Sequence, residues 1–198
     1  MSDEPLVRRG SVTPELAGEH PGLWVAWTVV AARPGPAPRE LRARLRGLAD
    51  RMGGAQAIGL RTREVPQAYR VFFRHVGLDP DVVRTPVEAI AVRRMQEGEL
   101  RSRGLIEDAL TVAVLETGVA VSAVDADRLV GPLALRESGG RIVIADEEGV
   151  VAVLFGDPTD RVAVTRATGR IALVAVAVPN VPDLYVEEAL WTASEILR

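Results

Sequence analysis

The chain has 198 residues, 47% of them hydrophobic and 26% charged, with a formal net charge of -3. That length suits one compact domain or two tightly joined lobes with a sizeable core, and the acidic balance excludes a large uniform basic face, so any nucleic-acid contact must be local. Cysteine is absent, which excludes disulfides, thiolate metal sites and cysteine nucleophiles.

The start, MSDEPLVRRGSV, has no apolar signal core, and no apolar run is long enough to span a membrane; the expectation is a cytoplasmic protein with no membrane partner. Residues 1–21 read as a loose end or a short edge strand, because Pro5, Pro14 and Pro21 punctuate them. Leu23 to Ala31 is apolar and β-branched and reads as a buried strand. After a proline-rich connection, Leu41, Leu45 and Leu48 recur at helical spacing with arginines on the other faces. Lysine is absent, so all 24 basic side chains are arginine. The arginines between Arg39 and Arg51 read either as a solvated helix face or as a contact to a nucleic-acid backbone. Gly53-Gly54 stops that pattern, and Gln56 to Leu60 is a short strand candidate.

Pro66 opens the next helix, in which Ala68, Phe72 and Val76 form a stripe flanked by Tyr69 and Phe73. The aromatics read as core rather than as a base-stacking platform. His75 and His20 lie apart in the sequence and give no metal-ligand pattern. Thr85-Pro86-Val87-Glu88 is a helix start with a capping threonine, proline at the first position and glutamate three after the cap. Gly98 ends that helix.

Leu105 to Glu116 is an almost wholly apolar helix pattern and should be mostly buried. Asp108 and Thr111, three apart, form a polar notch on it. A buried carboxylate needs partners. Asp108 therefore either accepts hydrogen bonds from backbone amides or an arginine such as Arg136, or it lines a pocket. Gly118 ends the helix, and strands dominate afterwards: Val119 to Val124, Leu133 to Arg136, Arg141 to Ala145, Val150 to Phe155, Val162 to Thr165 and Ile171 to Val178. Ser138-Gly139-Gly140 reads as a hairpin turn. The last segment is an amphipathic helix with Leu184, Ala189 or Glu188, Trp191 and Ile196 facing the sheet and Asp183 as its cap. Helices early and strands late predict an α+β fold.

Several ordered motifs carry a resemblance. They are the stretch Gly104 to Arg136, the GLDP turn after a tyrosine-arginine helix, the TPVEA cap and the paired Arg93-Arg94. This order resembles the B3/B4 domain of the beta subunit of bacterial phenylalanyl-tRNA synthetase, in its free-standing form, over roughly residues 61–198. Residues 1–60 are then a strand-helix extension packed on that core. The resemblance implies a three-layer-like α+β fold with a mostly antiparallel C-terminal β structure. It also implies a pocket between helix and sheet that removes a wrongly attached amino acid from tRNA by ester hydrolysis, without a cofactor or a metal.

Carried over residue by residue, the family's pocket pattern keeps its aspartate at Asp108, its helix-closing glycine at Gly118, a second aspartate at Asp125, the arginine at Arg136 and a glycine at Gly140. Thr165 and Thr168 match a threonine motif. The pattern's asparagine falls at Thr111, its histidine at Ser122, one glutamate at Arg141 and another at about Val174, and none of these four matches. The implied pocket candidates are Asp108, Thr111, Ser122, Arg136 and Gly140, with no assigned catalytic residue. Tying Asp108 to Arg136, they are expected to support the pocket. The implied partner is tRNA or aminoacyl-tRNA, either deacylated or only bound; an interaction protein that keeps the fold alone is the third reading.

Overall fold

The computed structural model describes residues 6–52 and 59–198. Strand β1 (Arg8–Arg9), strand β2 (Ser11–Val12) and helix α1 (Pro14–Glu19) precede the long strand β3 (Trp24–Ala31). Helices α2 (Arg39–Asp50), α3 (Glu64–His75), α4 (Pro86–Glu97) and α5 (Leu105–Thr117) follow. Strands β4 (Ala120–Asp125), β5 (Ala134–Ser138), β6 (Arg141–Ala145), β7 (Val150–Val153) and β8 (Arg170–Ala177) come next, and helix α6 (Asp183–Leu197) closes the chain. This is an α+β architecture, with two four-stranded sheets that are antiparallel except where β2 runs parallel to β5. The expected stop at Gly53-Gly54 and most of the strand expected at Gln56 to Leu60 lie outside the described residues; Leu60 itself begins a 3-10 turn.

The first sheet has the order β1-β3-β8-β4 and the second β2-β5-β6-β7. β3 and β8 pair along eight residues, from Trp24 opposite Ala177 to Ala31 opposite Arg170. Both strands are buried through most of their length, which is why each reads as a continuous apolar run rather than an alternating one. β3, from the segment expected to pack on the core as an extension, is thus an interior strand of the first sheet. One face of that sheet carries α5 and α6. The other meets the second sheet so closely that a side chain at Gly10 would fall 2.5 Å from both Val25 Cγ1 and the Leu133 carbonyl oxygen.

α5 is buried on two sides, which accounts for its composition. Ile106, Ala109 and Ala113 join the core between the sheets and the helices. Val112, Val114 and Leu115 join a second cluster with Leu41, Leu45 and Leu48 of α2 and Val87 and Ala91 of α4. A helix with apolar neighbours on both flanks has no need of a wide polar face. The bidentate pair of Arg44 with Glu116, at 3.0 and 2.6 Å, fastens α2 to the rim of α5.

α3 is held at the end of the first sheet by its aromatic stripe. Tyr69, Phe72 and Phe73 are all buried, as their spacing predicted. α4 begins with the expected capping box: Thr85 Oγ1 donates to Glu88 at 2.8 Å and the Thr85 amide reaches the same carboxylate at 3.4 Å. The other Glu88 oxygen accepts from Arg70 at 2.6 Å, so the cap of α4 also docks α3.

Three expectations are corrected here. Residues 162–165 do not form a strand. They follow a turn in which Val162 N donates to Thr159 O, and only the Val162 carbonyl meets β4, accepting from Asp125 N at 2.8 Å. In α6 the inward stripe is Val186, Ala189, Leu190, Ala193 and Leu197, whereas Leu184 is 70% and Trp191 45% exposed. Two alanines in that stripe bring the helix backbone close to α5 and the sheet, which bulkier residues would prevent. Asp183 is not the cap. The N-cap residue is Pro182, and Asp183 pairs with Arg9, whose guanidinium lies 3.9 Å over the Trp24 ring.

Candidate functional site

β4 ends the order of the first sheet, so among the described residues one of its edges is unpaired by any strand. An open cleft of about 1150 Å³ lies along that edge. The first turn of α5 (Gly104 to Glu107), the start of α4 (Pro86, Ala89) and Pro34-Gly35 form one wall. The loop from Phe155 to Arg166 and Ile144 of the second sheet form the other. The floor is Ala120 to Ala123 of β4 with Val174 and Val176 of β8.

The walls have local causes. Leu105 N donates to Gly35 O at 2.8 Å, which seats the proline-rich connection across the start of α5. Gly104 has φ 115, and a Cβ there would come within 3.1 Å of that same carbonyl oxygen. Only glycine meets both conditions at this crossing. Phe155 occupies the left-handed region at φ 60, a conformation that costs a bulky residue about 1–3 kcal/mol. Its ring is stacked on Phe73 at 5.0 Å and meets Tyr69 and Phe72 edge-on, which offsets that cost and fixes an aromatic edge in the cleft.

The polar groups of the cleft are few. Ser122 is half-exposed on the floor, Thr165 and Arg166 stand on the loop, and Arg84, Arg103, Glu107 and Asp157 complete the rim. Arg84 donates to the Pro80 carbonyl at 3.4 Å, and Arg103 pairs with Glu97 at 3.2 Å. Arg93 lies one turn past Ala89 on α4; burial, then the neighbouring Arg103 charge, holds its guanidinium below the usual arginine range. The arrangement, apolar at the floor with charges at the mouth, suits a ligand that joins an apolar group to anionic groups.

Of the five sequence-derived candidates, the cleft lining includes Ser122 alone. Asp108 is buried and accepts hydrogen bonds from Ser102 Oγ at 2.5 Å and from Arg103 N at 2.9 Å. It ties the approach loop to α5, and it is not paired with Arg136. A carboxylate in the first turn of a helix, next to amides of the preceding loop, finds its donors locally. Arg136 stands on β5 in register with Val143, and among the described residues its buried Nε has no hydrogen-bond partner. Thr111 is half-buried outside the cleft lining, and Gly140 is exposed in the β5–β6 hairpin turn at φ 73. The notch of Asp108 with Thr111 is therefore a loop anchor beside a helix flank.

Two relationships among the other motif positions are tighter than the sequence suggested. Ser122, at which the resemblance places a histidine, and Val174, at about which it places a glutamate, are direct partners across β4 and β8 and both line the floor. Asp125 and Thr168 are hydrogen-bonded at 2.6 Å, and Thr168 Oγ1 also accepts from Thr165 N at 3.0 Å. The aspartate thereby sets the loop that carries Thr165 and Arg166 into the cleft.

Sequence reasoning missed Arg84, Arg103, Asp157 and Arg166 as rim residues. Arg103-Gly104 before an apolar helix and the turn Thr165-Arg166-Ala167-Thr168 were the available signals. Neither indicates a cleft until the second sheet is brought against β4.

Among the described residues no group of three or more acidic or histidine side chains is placed to hold a metal ion, and no helix is long and apolar enough to cross a membrane. His20 packs edge-on against Phe72 at 5.3 Å, and His75 is exposed on α3, so neither histidine lines the cleft. No protein-family model matches the chain, and no curated protein matches it.

Proposed function

We propose that this chain is a B3/B4-like module whose cleft receives the aminoacyl end of a tRNA. One observation carries the reading. Two of the positions at which the resemblance implies pocket side chains, Ser122 and, approximately, Val174, are neighbours across two strands and lie together on the cleft floor. Positions about fifty residues apart in sequence converge where an aminoacyl group would sit. The apolar floor suits its side chain, and Arg84, Arg103 and Arg166 at the rim suit the phosphates that follow.

Binding is better provided for than hydrolysis. Ester hydrolysis needs a water held by a base and donors for the developing oxyanion. Serine and valine stand where the resemblance implies histidine and glutamate, and the remaining candidates to orient a water are Ser122, Thr165, Glu107 and Asp157. Deacylation in this cleft is accordingly slow, or absent, beside an enzyme that retains those groups.

The test compares aminoacylated and deacylated tRNA in low-salt binding titrations, together with deacylation of tRNAs carrying near-cognate amino acids. Aminoacylated tRNA is expected to bind more tightly, and Ser122→Leu, which fills the floor, is expected to abolish the difference. Equal affinity of the wild type for both forms would remove the aminoacyl reading. Deacylation at the no-protein rate would remove the hydrolase and leave the binding module.

A further inference from the structure

Beyond the cleft, α2 carries a second feature that bears on nucleic acid. Arg39, Arg42 and Arg46 lie at spacings of three and four, which puts them on one face of the helix. All three are exposed, and among the described residues none of their side chains makes a hydrogen bond or an ion pair. Their neighbour Arg44 points away and is taken up by Glu116. Arg39 and Arg42 stand in the first turns of α2, where a cation opposes the helix dipole, so the stripe does not serve the helix. Asp50 ends the same face at the far end of α2.

The stripe is connected to the cleft. Pro34 and Gly35 line the cleft wall, and four residues later Arg39 opens α2. The stripe spans about 10 Å along the helix axis. We propose that Arg39, Arg42 and Arg46 form a phosphate track that carries the backbone of a single-stranded RNA end away from the cleft. This rests on the aminoacyl-end reading for its direction. Guanidinium groups suit successive phosphates because their planar donors match phosphate oxygens.

The same stripe does not suit a lipid surface. A membrane-lying helix needs large apolar side chains facing the acyl chains. The apolar side of α2, Leu41, Leu45 and Leu48, is buried in the helical cluster, and α2 exposes no large hydrophobic residue.

The experiment measures the affinity of a deacylated tRNA, and of a short single-stranded RNA ending in its acceptor sequence, over a salt series. Three proteins are compared: wild type, the Arg39→Gln/Arg42→Gln/Arg46→Gln triple variant, and an Arg8→Gln/Arg74→Gln/Arg141→Gln triple variant. The last removes the same charge from exposed arginines elsewhere. Each lost single-strand phosphate contact lowers the slope of log affinity against log salt by about 0.7, so the stripe variant is expected to lose a slope of about 2. The control variant is expected to keep the wild-type slope. A wild-type slope in the stripe variant, or an equal loss in both variants, would overturn the proposal. Tighter binding of wild type to phosphatidylserine vesicles than to RNA would also overturn it. Failure of the cleft reading looks different: a non-hydrolysable aminoacyl-adenosine analogue would not bind wild type, while the stripe-dependent slope would stand.

Discussion

Tyr69 on α3 donates its hydroxyl hydrogen to the main-chain carbonyl of Val176 on β8. The same hydroxyl oxygen accepts from Ala120 N on β4 at 3.0 Å. A side chain thus completes the last rung between two paired strands, beneath the floor of the cleft. Burial pushes the phenol well above its ordinary range despite the Ala120 amide, so it stays a neutral donor. Tyr69→Phe would leave a buried carbonyl and a buried amide without partners, which is expected to cost about 1–3 kcal/mol in denaturant unfolding. An unchanged unfolding midpoint would show that the strands close the rung unaided.

The pair of Arg70 and Glu88 should be more costly to break. Both residues are buried, and Glu88 also receives Arg61 at 3.1 Å and the Thr85 hydroxyl. Removing one partner leaves an uncompensated buried charge, so Glu88→Ala is expected to destabilise by about 3–5 kcal/mol. The midpoint of thermal or urea unfolding reads this, and Glu88→Gln should recover part of the loss by keeping the cap of α4.

Asp108 and Arg136 should be energetically independent. Asp108 holds Ser102 and Arg103, whereas Arg136 stands on the second sheet. Asp108→Ala is expected to cost about 1.5–3 kcal/mol, the range for hydrogen bonds to a charged group. In a double-mutant cycle with Arg136→Met the coupling should stay below about 0.5 kcal/mol. A larger coupling would restore the pairing that the sequence suggested. Faster hydrogen exchange at the Arg103 amide in Asp108→Ala would locate the effect.

Asp146 predicts an acid limb. Burial pushes its carboxyl up, but amides of Val130 and Gly149 and the Arg161 guanidinium at 2.8 Å outweigh that and hold it below the ordinary carboxylate range. A group with a depressed folded pKa binds fewer protons folded than unfolded. Its contribution is therefore complete above the unfolded carboxylate range and is lost as pH falls through the folded value. Asp146→Asn should lower stability at neutral pH and flatten the decline towards acid. A stability profile of the wild type with no fall below pH 4, or one unaltered in the variant, would contradict this.

The elements themselves were largely legible. Apolar period and caps located β3, α2, α4, α5 and β8 to within a residue or two, because backbone sterics and helix capping act over a few residues. The aromatic stripe of α3 marked core for the same reason. The inner face of α6 was misread because Leu184 and Trp191 are large and alanines are weak signals, yet close approach to α5 favours the alanines. Residues 162–165 have a β-rich composition, but a strand needs a partner along its length, and β4 offers this segment one hydrogen bond.

The sequence by itself determined an α+β chain with a mostly buried central helix, a hairpin at Gly139-Gly140 and a local cap at Thr85, since each depends on neighbours along the chain. Only the tertiary structure decided that Asp108 anchors a loop rather than a pocket, and that Ser122 meets Val174. It also decided that Arg84, Arg103 and Arg166 share one rim. Those outcomes depend on which distant segments pack together, and on how each buried polar group finds its nearest donor. Neither is fixed by spacing along one strand or helix.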